Sequence, residues 1–224
     1  MSPCSMRPSA FHWNYQRSEI IADGVVHAIG IILGLVGSIL LFLSMDQSAT
    51  IRKVTPVTVY AVGLLAALGL SAAYNLWPVS ATKWLLRRFD HSAIYLLIAA
   101  TYTPFLAQLK AGLAAVGLMI VIWLAASVGI LTKLLLPGRF DRLSIVIYLL
   151  LGWSGVIVYR PVVLALPGSI FALLAAGGVL YSAGVAFHLW EKLRFQNAIW
   201  HGFVLVGMCC HYIAVLEFMT LAAA

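Results

Sequence analysis

Several side chains in this chain are costly to bury in apolar surroundings, and they recur at helical spacing. Glu19, Asp23 and His27 fall at i, i+4 and i+8, so a helix through them carries all three on one face. Ser71 and Asn75 are four apart, and so are Asn197 and His201. Asp90 precedes His91, and His211 lies further along the segment that holds His201. Amides, imidazoles and carboxylates together build hydrogen-bond networks. One histidine with two carboxylates, here His201 with Asp23 and Asp90, is also a metal-site composition.

The elements that must position these groups follow from composition. Of 224 residues, 63% are hydrophobic and 9% are charged, against roughly 45–50% and about 25% in soluble domains. Mean hydropathy is +1.01. A soluble fold would expose large apolar patches, which excludes a soluble enzyme, a secreted disulfide scaffold and a disordered chain. Cys4, Cys209 and Cys210 form no C-x-x-C pair and read as small apolar residues. Residues 1–19 lack the apolar run and small-residue cleavage site of a signal peptide. The net charge of +7 sits in short loops between apolar runs. It reads as topogenic and as attraction to anionic headgroups, with no nucleic-acid partner.

A spanning helix needs about 20 apolar residues. Seven segments are expected to span: 20–44, 54–77, 91–108, 111–133, 143–159, 162–187 and 198–221. The expected fold is all-α: residues 1–19 as a cytoplasmic tail and 20–224 as a seven-helix integral membrane bundle. Pro167-Gly168 breaks the start of the sixth segment or belongs to its loop. Gly63, Ala66, Ala67, Gly69 and Ala72 in the second segment, with Gly177, Gly178 and Gly184 in the sixth, permit close helix approach. Lys and Arg number ten on the tail side and four on the other, which places the N-terminus in the cytoplasm and the C-terminus outside.

That topology gathers the polar groups. Odd helices begin, and even helices end, on the cytoplasmic side. Glu19, Asp23, His27, Ser71, Asn75, Asp90, Asn197 and His201 therefore converge in the cytoplasmic leaflet. Ionisable residues inside spans usually face the bundle interior and mark function. Plainer readings stand beside this one. Asp90 has the chemistry of an N-cap for the third helix, and Glu19 and Asp23 that of first-turn acids. His91 reads as interfacial, His188 as solvated, His211 as a satisfied interior histidine, and Lys133 as snorkelling to the interface. Trp13, Trp77, Trp84, Trp190 and Trp200 read as an aromatic belt.

The run Leu86-Arg87-Arg88-Phe89-Asp90-His91-Ser92-Ala93-Ile94-Tyr95, continued through Ala99 to Phe105, closely resembles the hemolysin III family, the bacterial branch of the progestin and adipoQ receptor superfamily. Glu19 to Gly30, Ser71 to Asn75, and Asn197 to His201 with His211-Tyr212 resemble its other motifs, in the right order. The resemblance implies a seven-helix bundle in the bacterial plasma membrane, with a zinc ion near the cytoplasmic side held by three histidines and an aspartate, here Asp90, beside the metal. Two of the three histidine positions are Asn75 and Asn197 in this chain, while His201, Asp90 and Ser71 match. Asp23 stands where the family commonly has asparagine. Zinc prefers imidazole, thiolate and carboxylate to a neutral amide. Zinc is therefore expected to be absent or weakly bound, with Asp90 as the one catalytic candidate, His201 and Asp90 as the remaining metal-site residues, Asn75 and Asn197 as weakened ones, and Ser71, Glu19, Asp23 and His27 around them. The alternative is a rearranged metal site of Asp23, Asp90 and His201.

The expected function is a membrane protein of lipid homeostasis or sensing, with membrane lipids and a lipid-derived ligand as partners. One alternative is a metal-dependent hydrolase of a lipid amide or ester, which the two asparagines argue against. Another is the cytolytic activity that the family name implies, although the outer halves of the helices lack the polar stripe of a pore. An ion or proton transporter would need midplane ionisable groups, and His211 is the one candidate.

Overall fold

The computed structural model describes residues 15–45, 50–108, 112–157 and 166–221. Within them the chain forms seven helices: α1 (Arg17–Leu43), α2 (Ile51–Leu76), α3 (Ala81–Gln108), α4 (Leu113–Leu135), α5 (Asp141–Ile157), α6 (Gly168–Leu189) and α7 (Gln196–Leu221). Five of them, α1, α2, α4, α6 and α7, are long and apolar enough to cross a membrane. In a hydrocarbon medium each backbone polar group needs an internal partner, and a helix supplies one within its own segment.

Two boundaries differ from expectation. α3 begins at Ala81, ten residues before the expected 91, because Trp84, Leu85, Leu86, Arg87 and Arg88 sustain a helix although the charges end the apolar run. Asp90 is thus inside α3, and its N-cap reading does not hold. α6 starts at Gly168 with Pro167 as its N-cap residue, so the Pro-Gly pair belongs to the helix entry. The expected residues 162–165 of that segment lie outside the described residues, as do Trp13, Cys4 and the tail to residue 14.

The outward faces are apolar. Ile21, Ile32 and Ile39 of α1 are 61%, 60% and 59% exposed, and Val121, Leu124 and Val128 of α4 are 60–63% exposed. Such stripes are stable against lipid and not against water. The interior divides into two clusters. One, around Tyr60, Leu64, Phe105 and Phe218, joins α1, α2, α3, α6 and α7. The other, around Tyr95, Ile122 and Leu151, joins α3, α4 and α5. Small residues set the approach. A side chain on Gly63 would meet Ala100 of α3, and one on Gly177 would meet the His211 ring and the Gly207 carbonyl of α7. Gly69, by contrast, faces open space.

Several plain readings of polar residues change here. Lys133 does not snorkel: it is 2% exposed, and its Nζ lies 2.7 Å from Asp141 Oδ1. Arg87 holds the other oxygen, Oδ2, at 2.7 Å. One carboxylate at the start of α5 thus ties α3 and α4 together. His188 is not solvated: its Nδ1 is buried without a hydrogen-bond partner among the described residues, and its ring packs on Trp200 at 5.0 Å. Trp200 accordingly belongs to the α6–α7 interface, against Gly184, while Trp77 and Trp190 are exposed as a belt requires. Cys209 and Cys210 are free and half-buried.

Candidate functional site

The site forms at the end of the bundle where α1 and α7 begin and α2 ends. Its frame is Glu19. At the third helical position it completes a capping box, accepting from the Gln16 amide at 2.8 Å. Its second oxygen accepts from the Phe195 amide at 2.9 Å, just before α7. Phe195 carries φ +60°, which turns that amide towards α1. Gln196 extends the frame by donating from Nε2 to the His188 carbonyl at the end of α6. Glu19 is therefore a tie between α1 and the α6–α7 connection.

One turn deeper, Asp23 and His27 are 4% and 5% exposed. His201 reaches them from α7, and its Nδ1 donates to Asp23 Oδ1 at 2.6 Å. A carboxylate accepts only, so this contact fixes the proton on Nδ1. Asp23 Oδ2 stands 3.5 Å from His27 Nε2. The two imidazole rings are 4.5 Å apart. His27 Nε2 is buried with no hydrogen-bond partner among the described residues. The three side chains each bring one ligand-type atom within 4.8 Å of the others.

Two openings flank this group. A cleft lined by Tyr15, Glu19, Asn75 and Asn197 leads to Asp23 on one side. On the other, His27, Ser71 and His201 border a cavity whose remaining wall is apolar, including Ala67, Leu68 and Met208. Tyr15, ahead of α1, has its phenol pKa raised by burial. Asn75 donates from Nδ2 to the Ser71 carbonyl at 2.9 Å and to Ser71 Oγ at 3.3 Å, and Lys83 Nζ caps α2 on the Asn75 and Trp77 carbonyls.

The expected residues thus separate. Asp23, His27 and His201 come into one group, Asn75 and Asn197 line its cleft, and Ser71 its cavity. Asp90 is not in the group: it lies beside His91, with Oδ2 3.6 Å from Nδ1. His91 donates from Nδ1 to the Arg87 carbonyl at 2.8 Å, and its own carbonyl accepts from Tyr148. His211 contacts the Leu174 carbonyl through Nε2 at 3.2 Å and packs edge-on against Tyr181, as a satisfied interior histidine does. His27 is the member that sequence reasoning under-weights, although its i+4 spacing to Asp23 is the signal that points to it.

A zinc ion on three imidazoles, as the resemblance implies, does not fit these residues. The Asn75 amide nitrogen is turned to Ser71, and only His201 of the three positions offers a ring nitrogen.

Comparison with known proteins gives a consistent set of relatives. A family profile described as "Haemolysin-III related" matches residues 15–212. The chain is 36% identical over 198 residues to the "Hemolysin-3 homolog" of Bacillus subtilis, covering 88% of this chain and 93% of that one. It is 39% identical over 201 residues to "Hemolysin-3" of Bacillus cereus, covering 90% and 92%. To the human "Monocyte to macrophage differentiation factor" it is 31% identical over 209 residues, covering 90% and 84%. No solved structure matches.

Proposed function

The chain belongs to the haemolysin-III related family and is an integral membrane protein, and from that premise we propose that it binds an amphiphilic, lipid-derived ligand and serves lipid homeostasis or sensing in a bacterial plasma membrane. The observation that carries this reading is the pairing of a polar cleft and an apolar cavity on two sides of the Asp23–His201 contact. A headgroup finds donors and acceptors on Tyr15, Glu19, Asn75 and Asn197. The small cavity beyond, walled by Ala67, Leu68 and Met208, has room for only the first atoms of an apolar portion, the rest of which would lie against the lipid-facing helices. The excess of Lys and Arg beside this end of the bundle supports seven spans with the N-terminus in the cytoplasm, where anionic headgroups are attracted.

The test is lipid analysis by mass spectrometry of the chain purified in mild detergent. Near-stoichiometric enrichment of one lipid class, reduced by Ala67→Trp, supports the reading. Bulk membrane composition, unchanged by that substitution, overturns it.

A second reading, a hydrolase of a lipid amide or ester, is favoured by one observation: two imidazoles and a carboxylate cluster at the base of the cleft. That composition occurs in catalytic metal centres. Release of fatty acid from a fluorescent lipid amide or ester by the purified chain, lost in His201→Gln, is the measurement that supports it.

A further inference from the structure

We infer that Asp23, His27 and His201 form a binding site for a divalent transition-metal ion, with a ligand set carried by α1 and α7. The inference concerns binding alone: the lipid-ligand reading does not depend on it, while the hydrolase reading draws on the same three side chains.

Three observations converge on it. The first is composition and reach: one carboxylate and two imidazoles, with ligand-type atoms within 4.8 Å of one another, form a set that Zn²⁺ and similar ions accept. The second is the orphan. His27 Nε2 is buried, without a hydrogen-bond partner among the described residues, and aimed at Asp23. An imidazole nitrogen left so in a low-dielectric interior is costly. A cation among the three groups satisfies it. The third is charge. Asp23 is a carboxylate in an interior position, hydrogen-bonded by His201 alone among the described residues and 3.5 Å from His27 Nε2. A divalent ion compensates that charge where a neutral imidazole offers only a hydrogen bond.

Asn75 and Asn197 border the cleft that leads to Asp23. Asn75 is turned to Ser71 and serves the cleft wall.

The experiment uses the full, tag-free chain, stripped with chelator and titrated with Zn²⁺ alone. The expected result is one zinc per chain, with X-ray absorption at the zinc edge reporting two imidazole ligands plus oxygen. His27→Gln is expected to leave one imidazole and weaken binding by about tenfold or more, since loss of even an outer-shell partner costs roughly 10–100-fold. Asp23→Asn is expected to weaken it likewise. Should either variant fail to fold, the imidazole count on the unsubstituted chain decides. A folded chain that binds no zinc, a site with a single imidazole, or binding that survives His27→Gln and disappears in Asn75→Ala each overturns the proposal.

Discussion

His201 Nδ1 lies 2.6 Å from Asp23 Oδ1, joining the start of α7 to the start of α1 across 178 residues of sequence. The bond is charge-assisted and mostly buried, the class worth about 1.5–3 kcal/mol. Asp23→Asn keeps the size and removes the charge. The variant is expected to lose about 1–3 kcal/mol of stability in detergent. The proton resonance at His201 Nδ1 is the sharper readout: this strongly hydrogen-bonded proton should move upfield in the variant. An unchanged resonance would show that the carboxylate does not hold this ring.

Glu19 acts through two amides, those of Gln16 and Phe195. Glu19→Ala removes both acceptors, and hydrogen exchange at the Phe195 amide should accelerate along with fraying of the first turn of α1. The expected cost is about 0.5–1.5 kcal/mol, since the Gln16 contact is exposed to solvent. Glu19→Gln keeps one acceptor oxygen, so its exchange rate should fall between the two. Equal exchange in all three proteins would leave Glu19 no role in joining α1 to α7.

How far this site is legible in sequence depends on the range of each contact. Asp23 and His27 are readable because helical spacing fixes both neighbours within one turn. His201 is readable because topology brings the starts of odd helices to one end. The Arg87–Asp141–Lys133 group is not readable: its members come from three helices, and no local pattern states how α3 and α4 rotate towards α5. Charge density misleads in the other direction at α3, where the basic residues before Asp90 end an apolar run without ending the helix. His188 reads as solvated from its place near basic residues, whereas the structure buries it against Trp200. A linear pattern carries no rotation about each helix axis, and the side-chain contacts follow from that rotation.

The Asp141 group yields its own prediction. Asp141→Asn removes the carboxylate charge that Arg87 and Lys133 share. Arg87 and Lys133 are buried while Asp141 is partly exposed, so the expected loss is about 1–3 kcal/mol, below the range for a fully buried pair. Adding Lys133→Met to Asp141→Asn removes a now unpaired buried cation and should recover stability. If the double variant melts below the single one, the penalty is not electrostatic.

Two glycines with opposite surroundings give a matched test of the packing. Gly177→Ala places a methyl group against the His211 ring and the Gly207 carbonyl, and the latter is backbone that cannot swing away. Overpacking of this kind costs about 1–3 kcal/mol, and the melting temperature of this variant should drop. At Gly69 nothing lies within 4 Å of the place where a methyl group would sit, so Gly69→Ala adds no clash and gains up to about 1 kcal/mol in helix propensity. Its melting temperature should hold or rise. The sign of the difference is the informative quantity, because both changes add the same atoms to helices of one bundle. A fall at both positions would mean that α2 is more closely covered around Gly69 than its open surroundings indicate.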